Sequence, residues 1–165
     1  MTEPTGRTDR PGTTEPSGAI VPAPDHTHTV NNGKRDLTID QLAATQPGLD
    51  RLMAELGPRM HRLYFAARAG NWRLADYFFR STVKQLSLCA FSRPKYEQAI
   101  NAYLANDCEP VRVAIKSGDR DAFESAYAAM VARANEYHDE FAKPYLHWVC
   151  PATPPEDLDF SAGLS

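Results

Sequence analysis

The side chains best suited to chemistry lie near the end of the sequence, where His138 is surrounded by acidic residues. Glu136 precedes it, and Asp139 and Glu140 follow it. A histidine of this kind can act as a general base, although acidic runs at a helix end are more often simply solvated. The sequence contains no Gly-rich phosphate loop, no nucleophile elbow and no His-Glu-X-X-His motif. The residue types therefore predict no catalytic set.

The cysteines and the remaining histidines are too dispersed to predict a metal site. Cys89, Cys108 and Cys150 are far apart in the sequence and fit no metal-ligand spacing. His26 and His28 have no third ligand near them. We expect three free thiols, as is usual in a reducing compartment.

The composition excludes several classes of partner. The chain has 165 residues and a formal net charge of −3, with 42% hydrophobic and 24% charged residues. This balance produces no strong field, so neither nucleic acid nor a membrane is predicted as a partner. No apolar run approaches the ~18 residues of a membrane span. Because residues 1–10 also lack the apolar core of a secretory signal, we expect a cytoplasmic protein.

Three regions are distinguished by their composition. Residues 1–36 are rich in Pro and Thr and poor in large apolar side chains, which predicts a disordered tail. Residues 37–144 carry apolar residues at helical spacing and predict a helical domain. Residues 145–165 follow Pro144 and contain further prolines, so an extended C-terminal segment is expected.

Local signals divide the helical region into elements. Thr38 and Gln41 have the spacing of a capping box that opens a short helix. A second helix is expected from Leu49 to Ala67, kinked at Pro58. Gly70 and Asn71 predict a tight corner, since glycine ends helices and asparagine caps them. No strand with a period of two residues is predicted.

The second half of the helical region shows the same kind of signals. A helix is expected from Trp72 to Leu88, and Ser92-Arg-Pro94 begins the next one. Asp107 is predicted to cap a shorter helix that ends at Ser117-Gly118. The last helix places six residues on one stripe: Phe123, Tyr127, Met130, Ala134, His138 and Phe141. The pattern as a whole predicts an all-α protein built as a four-helix bundle.

Three stretches of this helical region resemble a group of small bacterial c-type cytochromes. They are the corner Leu63-Tyr-Phe-Ala-Ala-Arg-Ala-Gly-Asn-Trp-Arg-Leu-Ala-Asp-Tyr77, the segment Asp119-Arg-Asp-Ala-Phe123, and the exit Pro151-Ala-Thr-Pro-Pro-Glu-Asp-Leu-Asp-Phe160. The resemblance covers roughly residues 50–160. It implies a cytochrome c′-like bundle whose last helix carries the haem-attachment motif Cys-X-X-Cys-His.

That motif is absent from this chain. In register it falls on Ala134-Asn-Glu-Tyr-His138, so Ala134 and Tyr137 replace both cysteines while the histidine stays. Covalent attachment of haem through thioether bonds is therefore excluded.

The resemblance also implies roles for three side chains. His138 would be the proximal ligand of a noncovalent haem, and Met60 or His61 would complete the axial pair. In the alternative interpretation, His138 is hydrogen-bonded to a tyrosine hydroxyl or a backbone carbonyl and no cofactor is bound. Aromatic side chains would then close the former haem cavity, because large apolar voids are costly. Tyr103, Tyr127 and Tyr137 are expected to fill it.

The leading functional prediction is a non-catalytic accessory subunit of a larger complex. The resemblance suggests that the partner is an oxidoreductase; self-association of the chain is the other possibility. Adjacent Phe78 and Phe79 diverge on one helix, so one of them is expected at the surface, and we assign Phe79 to a partner. Tyr145, Trp148 and Phe160 are assigned to the same interface, since Trp and Tyr are common interface anchors. Two alternatives remain: a b-type haem protein for electron transfer or gas sensing, and a small enzyme with His138 as general base.

Overall fold

The computed structural model describes residues 28–164, which form two compact units that divide after Gln46. Apart from one short hairpin, the regular structure in this range is helical, which confirms the all-α prediction. The count of four helices is not confirmed, because five helices within the same range have nine or more residues. No helix in residues 28–164 is long and apolar enough to cross a bilayer.

The described part of the first unit, residues 28–46, contains a two-stranded hairpin followed by one short helix. Strands β1 (Thr29–Asn31) and β2 (Asp36–Thr38) pair antiparallel. The turn contains Gly33 at φ +83°, a conformation that favours glycine. Helix α1 (Ile39–Ala44) begins with the predicted capping box: Gln41 N–H donates to Thr38 Oγ1, and Thr38 N–H donates to Gln41 Oε1.

One prediction for this region is corrected: Thr29–Asn31 and Asp36–Thr38 form strands, whereas no strand was predicted. The hairpin begins within the tail predicted for residues 1–36. Local side chains explain the hairpin, since Asn31 Oδ1 accepts from Gly33 N–H and Asn32 Oδ1 accepts from Arg35 N–H. Such asparagine turns stabilise reversals without any apolar pattern. The remainder of the predicted tail, residues 1–27, lies outside the described residues.

The second unit carries six helices in chain order. They are α2 (Leu49–Ala54), α3 (Leu56–Arg68), α4 (Trp72–Ser92), α5 (Pro94–Asn106), α6 (Glu109–Ser117) and α7 (Arg120–Glu140). The residues after α7, 145–164, form neither helix nor strand, as expected for an extended segment. We call residues 145–164 the C-terminal segment.

The predicted kink at Pro58 is instead a break between α2 and α3 at Glu55. Proline has no N–H, and its ring clashes with the carbonyl four residues earlier, which belongs to Ala54. The first helix therefore ends at Ala54, and Pro58 lies in the first turn of α3, where a missing donor costs little. Arg59 Nη1 donates to the Glu55 carbonyl at 2.7 Å and satisfies it.

The corner between α3 and α4 forms as predicted. Gly70 has φ +76°, and Asn71 N–H donates to the Ala66 carbonyl at 2.9 Å, which closes the end of α3. Asn71 Oδ1 then accepts from Leu74 N–H at 3.1 Å and caps α4. The two helices consequently run back along each other.

The start of α6 differs from the prediction, whereas its end does not. Its N-cap is Cys108, without a side-chain hydrogen bond, so the predicted cap at Asp107 is wrong. Pro110 lies in the first turn, where it replaces a donor that has no helical partner. Gly118 ends the helix at φ +68°, and Asp119 caps α7 by accepting from Ala122 N–H.

Packing of these helices produces one core. Helix α4 contacts α2, α3, α5 and α6, and α7 contacts α3, α5 and α6. The largest buried side chains come from all the long helices: Leu63, Phe65, Phe79, Leu86, Ile100, Tyr103, Val111, Phe123, Tyr127 and Met130. The N-terminal half of the predicted α7 stripe therefore lies in the core. Its C-terminal half, from Ala134 onward, is only partly buried.

Candidate functional site

A cavity of about 500 Å³ lies in the second unit, beside the core. Its walls come from α2, α3, α4, α5, α7 and the start of the C-terminal segment. The lining side chains are mostly aliphatic or aromatic: Leu49, Met53, Leu56, Met60, Leu86, Tyr96, Ile100, Tyr103, Tyr127, Val131, Tyr137, Phe141, Leu146, Trp148 and Val149. Its volume and its apolar wall are typical of a small-molecule site.

Helical periodicity explains how two elements present their side chains to this cavity. Helix α5 contributes Tyr96, Ile100 and Tyr103 at steps of four and three residues. Helix α7 contributes Tyr127, Val131, Ala134 and His138 at steps of four, three and four residues, and its C-cap residue Phe141 follows three residues later. Residues at these spacings share one helix face, so the predicted stripe on α7 divides between the core and the cavity.

His138 lies in the cavity wall, and its ring is oriented by the C-terminal segment. Its Nδ1 lies 2.7 Å from the carbonyl oxygen of Leu146. A carbonyl can only accept, so Nδ1 carries a proton, and Nε2 is an acceptor in the neutral form of the ring. The expected hydrogen bond between His138 and a backbone carbonyl is therefore present, and it is compatible with a bound cofactor as well as with none.

The two residues paired with His138 in the haem hypothesis have different positions. Met60 lines the same cavity, and its carbonyl accepts from the Tyr127 hydroxyl at 3.1 Å. His61 does not line the cavity: its Nε2 lies 2.6 Å from the Thr153 carbonyl, and its ring packs on Phe65. Of the two predicted axial partners, only Met60 therefore shares a site with His138.

Three buried polar side chains in the wall have their protons engaged within the fold. The hydroxyls of Tyr103 and Tyr127 donate to the carbonyls of Met130 and Met60, each at 3.1 Å. Thr82 Oγ1 donates to the Phe78 carbonyl at 2.9 Å. Burial raises the pKa of Tyr103 and of Tyr127 well above the usual tyrosine value. Both hydroxyls therefore remain protonated donors at physiological pH.

The tyrosines expected to fill the space do not fill it. Tyr103, Tyr127 and Tyr137 all line the cavity, and a volume of about 500 Å³ remains between them and the other walls. Tyr103 and Tyr137 pack edge to face against each other, 6.0 Å apart. Because two of the three hydroxyls are bonded to backbone carbonyls, their rings are fixed in the wall and cannot rotate into the space.

Side chains of α3, of α7 and of the corner between α3 and α4 hold the C-terminal segment on the bundle. Asn135 makes a reciprocal pair with the backbone of Trp148, donating at 2.9 Å and accepting at 2.8 Å. Arg62 forms an ion pair with Asp157. Asn71 Nδ2 donates to the carbonyls of Phe160 and Ala162 at 3.1 and 2.9 Å.

The four predicted partner residues have separate locations. Phe79 is buried in the core, so its assignment to a partner surface is wrong; the helix turns it inward and leaves Phe78 half-buried. Phe160 packs against the core, with its ring 6.2 Å from that of Phe65. Trp148 lines the cavity, with its ring tip close to Gly57. Tyr145 lines the mouth of the same cavity, and because it is 76% exposed it is also accessible to a partner.

Among residues 28–164, no group of three or more His, Cys, Asp or Glu side chains is placed to hold a metal ion. Cys89 and Cys108 are buried, Cys150 is exposed, and all three are free thiols. His26 lies outside the described residues.

No family model matches the chain, and no curated protein or solved structure is significantly similar to it. The resemblance to c-type cytochromes therefore stays a prediction.

Sequence reasoning identified His138 and Met60 and expected tyrosines to close the space between them, but it did not predict an open cavity or the contribution of Trp148 to its wall. An open space has no local signal, since it depends on how several helices pack against one another. The roles of Asn71 and Asn135 in holding the C-terminal segment were missed as well. A partial signal existed for both, because polar amides on helices that face a coil segment often bond to its backbone.

Proposed function

We propose that the chain binds a small, largely apolar molecule in the cavity of the second unit. The observation that carries this proposal is a volume of about 500 Å³ bounded almost entirely by aliphatic and aromatic side chains. Ligand sites of proteins generally measure ~300–1,000 Å³ and combine an apolar wall with a few polar groups. Thr82, Tyr103, Tyr127 and His138 are such groups here.

The exposure of the lining residues supports the same proposal. The cavity is open to solvent on one side, where the lining residues Tyr145, Leu146 and Val149 are exposed. A small molecule can therefore enter it without unfolding of the bundle. A ligand with its own hydrocarbon surface would remove apolar wall from water, which contributes about 25 cal/mol per Å².

The chain itself offers little to fill the space. Residues 1–27 contain few large apolar side chains, Ile20 and Val21 being adjacent ones. The three tyrosines expected to occupy the cavity stand in its wall. We therefore assign the cavity to a separate molecule.

The test is a titration of the full chain with a neutral apolar fluorophore such as N-phenyl-1-naphthylamine. We expect saturable binding of one molecule per chain. Ala134→Leu should abolish binding because it places a larger side chain in the wall, whereas Ala132→Leu, at an exposed site of the same helix, should leave it unchanged. Ala134→Leu should also raise the stability of the ligand-free protein, by about 1 kcal/mol, as cavity filling commonly does.

Two results would contradict the proposal. The first is the absence of saturable binding by the unmodified chain. The second is equal binding by both variants, which would place the fluorophore outside the cavity.

Noncovalent haem is the second candidate, favoured by the geometry of His138. A histidine that binds a metal through Nε2 generally donates Nδ1–H to a carbonyl or carboxylate, and His138 makes this contact with Leu146. Met60 lines the same cavity and carries a thioether, the other axial ligand of cytochromes c. Haem would supply redox or gas-binding chemistry.

Reconstitution with haem separates this candidate from other ligands. A stoichiometric Soret band that is lost in His138→Ala would establish it, and Met60→Leu should then shift the spectrum. The matched control is His61→Ala, because His61 lies outside the cavity wall. A Soret band that survives in His138→Ala would exclude axial ligation by this residue.

The accessory-subunit role, with an oxidoreductase or a second copy as partner, and the enzyme with His138 as general base both stay predictions. For the first, Tyr145→Ala should weaken self-association or pull-down of a partner from native extract. A lone monomer in light scattering, with no captured protein, would contradict it.

A further inference from the structure

The buried polar groups of the cavity wall share one chemical property. Thr82, Tyr103 and Tyr127 each carry a single hydroxyl proton, and each donates it to a backbone carbonyl of the fold. All three side chains are buried. A hydroxyl whose proton is already donated can offer only oxygen lone pairs to a further partner.

His138 extends this pattern toward the outer part of the wall. Its Nδ1–H is directed to the Leu146 carbonyl, so the other ring nitrogen, Nε2, is an acceptor whenever the imidazole is neutral. Four polar side chains from α4, α5 and α7 that line the same cavity therefore have a proton engaged by a backbone carbonyl of the fold.

Further hydrogen-bond donors are found only among the less buried residues of the cavity wall. Lys143 and Tyr96 line the cavity but are only half-buried, and the Lys143 ammonium lies 6.0 Å from the centre of the Tyr96 ring. Asp50, a further acceptor, is exposed. A ligand that carries an acceptor of its own would meet donors only in this outer region.

We infer that the ligand is an apolar molecule whose buried end carries a hydrogen-bond donor, that is, an alcohol, a phenol or an amine. A carboxylate, ketone or ether in that position would face lone pairs and lose its water without compensation. This inference rests on the proposed function, since it names the class of ligand for the same cavity.

Two naphthalenes of similar shape test the inference. 1-Naphthol carries a donor, whereas 1-methoxynaphthalene has the same ring and oxygen without the proton. One hydrogen bond corresponds to about a tenfold difference in dissociation constant, so we expect calorimetry to show naphthol binding at least tenfold more tightly. 1-Naphthoate should bind no more tightly than the ether.

The possible results separate the two proposals. Equal affinities, or a preference for the ether or the carboxylate, would overturn the donor inference while the cavity remained a binding site. If none of these compounds and no neutral fluorophore bound, the proposed function would fail and the inference with it.

Variants locate the acceptor. Tyr127→Phe, Tyr103→Phe and Thr82→Val each remove one lone-pair group, and at least one of them should reduce the preference for naphthol at least threefold. Tyr96→Phe is the control, since it removes a less buried hydroxyl from the same wall. Thr82→Val keeps the side-chain shape, which preserves the test if a tyrosine variant does not fold. An unchanged preference in all three folded variants would overturn the assignment of the acceptors.

Discussion

The three cysteines differ in environment although none is bonded to another. Cys89 and Cys108 are buried, and burial raises the pKa of Cys108 to about 12. The thiolate is the reactive form, so a buried thiol with a raised pKa reacts slowly with alkylating reagents.

We predict that a thiol reagent at pH 8 labels one cysteine rapidly in the folded protein and the other two only on unfolding. The fast group should be Cys150, because it is exposed. Mass spectrometry of the labelled peptides checks the assignment, and Cys150→Ser should remove the fast phase. Rapid labelling of Cys108 would show that α6 opens readily.

Asn71 joins two parts of the second unit. Its Oδ1 caps α4 and its Nδ2 donates to two carbonyls of the C-terminal segment. The two functions are separable, since aspartate caps helices as well as asparagine does but has no donor.

Asn71→Asp should therefore destabilise the protein although it keeps the cap. We expect a loss of about 1–3 kcal/mol in urea unfolding, since two hydrogen bonds to the segment are lost and each contributes about 0.5–1.5 kcal/mol. Asp119→Asn, which exchanges the same residue types at the cap of α7, is the control and should change stability by less than about 0.5 kcal/mol. Equal stability of Asn71→Asp and the unmodified chain would mean that the segment contributes nothing.

At the scale of elements, the contact between α3 and the C-terminal segment depends on one glycine. A Cβ added to Gly57 would lie 2.8 Å from Cη2 and 3.1 Å from Cζ3 of Trp148. Alanine is favoured over glycine inside a helix by about 1 kcal/mol, so helix propensity and steric contact oppose each other at this position.

We predict that Gly57→Ala displaces the Trp148 ring and increases proteolysis within residues 145–155. The sign of its effect on stability should depend on Trp148: destabilising in the unmodified chain, and stabilising by about 1 kcal/mol in a Trp148→Ala background, where only the helix propensity remains. A double-mutant cycle measures this reversal. The same stabilisation in both backgrounds would show that the ring does not hold the segment.

Local sequence signals predicted where helices begin and end more reliably than they predicted how the helices pack. The capping box at Thr38, the corner at Asn71 and the stop at Gly118 depend on residues within four positions, so the sequence contains all the information. The helix breaks at Glu55, three residues before the predicted kink at Pro58, because a proline disrupts the turn that precedes it. The cavity and the docking of the C-terminal segment arise from contacts between distant residues, which periodicity does not encode.

At the scale of the whole molecule, buried groups make stability sensitive to alkaline pH. Burial raises the pKa of Cys89, Cys108, Tyr103 and Tyr127. In the unfolded chain the pKa is about 8.5 for a cysteine thiol and about 10 for a tyrosine hydroxyl. Above those values the native state holds more protons than the unfolded state, so stability falls as the pH rises.

We therefore predict that the urea midpoint decreases steadily from about pH 8.5 to pH 10.5. Cys108→Ala should lower stability at neutral pH, because it removes packed atoms, but should make the decrease with pH shallower. Unfolding curves at several pH values check both statements. A midpoint independent of pH over this interval would contradict the burial of these groups.

The fastening of the C-terminal segment has a kinetic consequence. Ordering a residue costs about 1–2 kcal/mol of backbone entropy, and the segment has no helical or strand hydrogen bonds to offset this. It is held instead by side chains of His61, Arg62, Asn71, Asn135 and His138. Segments of this kind open at lower free energy than the core they cover. The amide protons of residues 145–162 should thus exchange with solvent long before those of α4, and a bound ligand should slow that exchange where the segment walls the cavity.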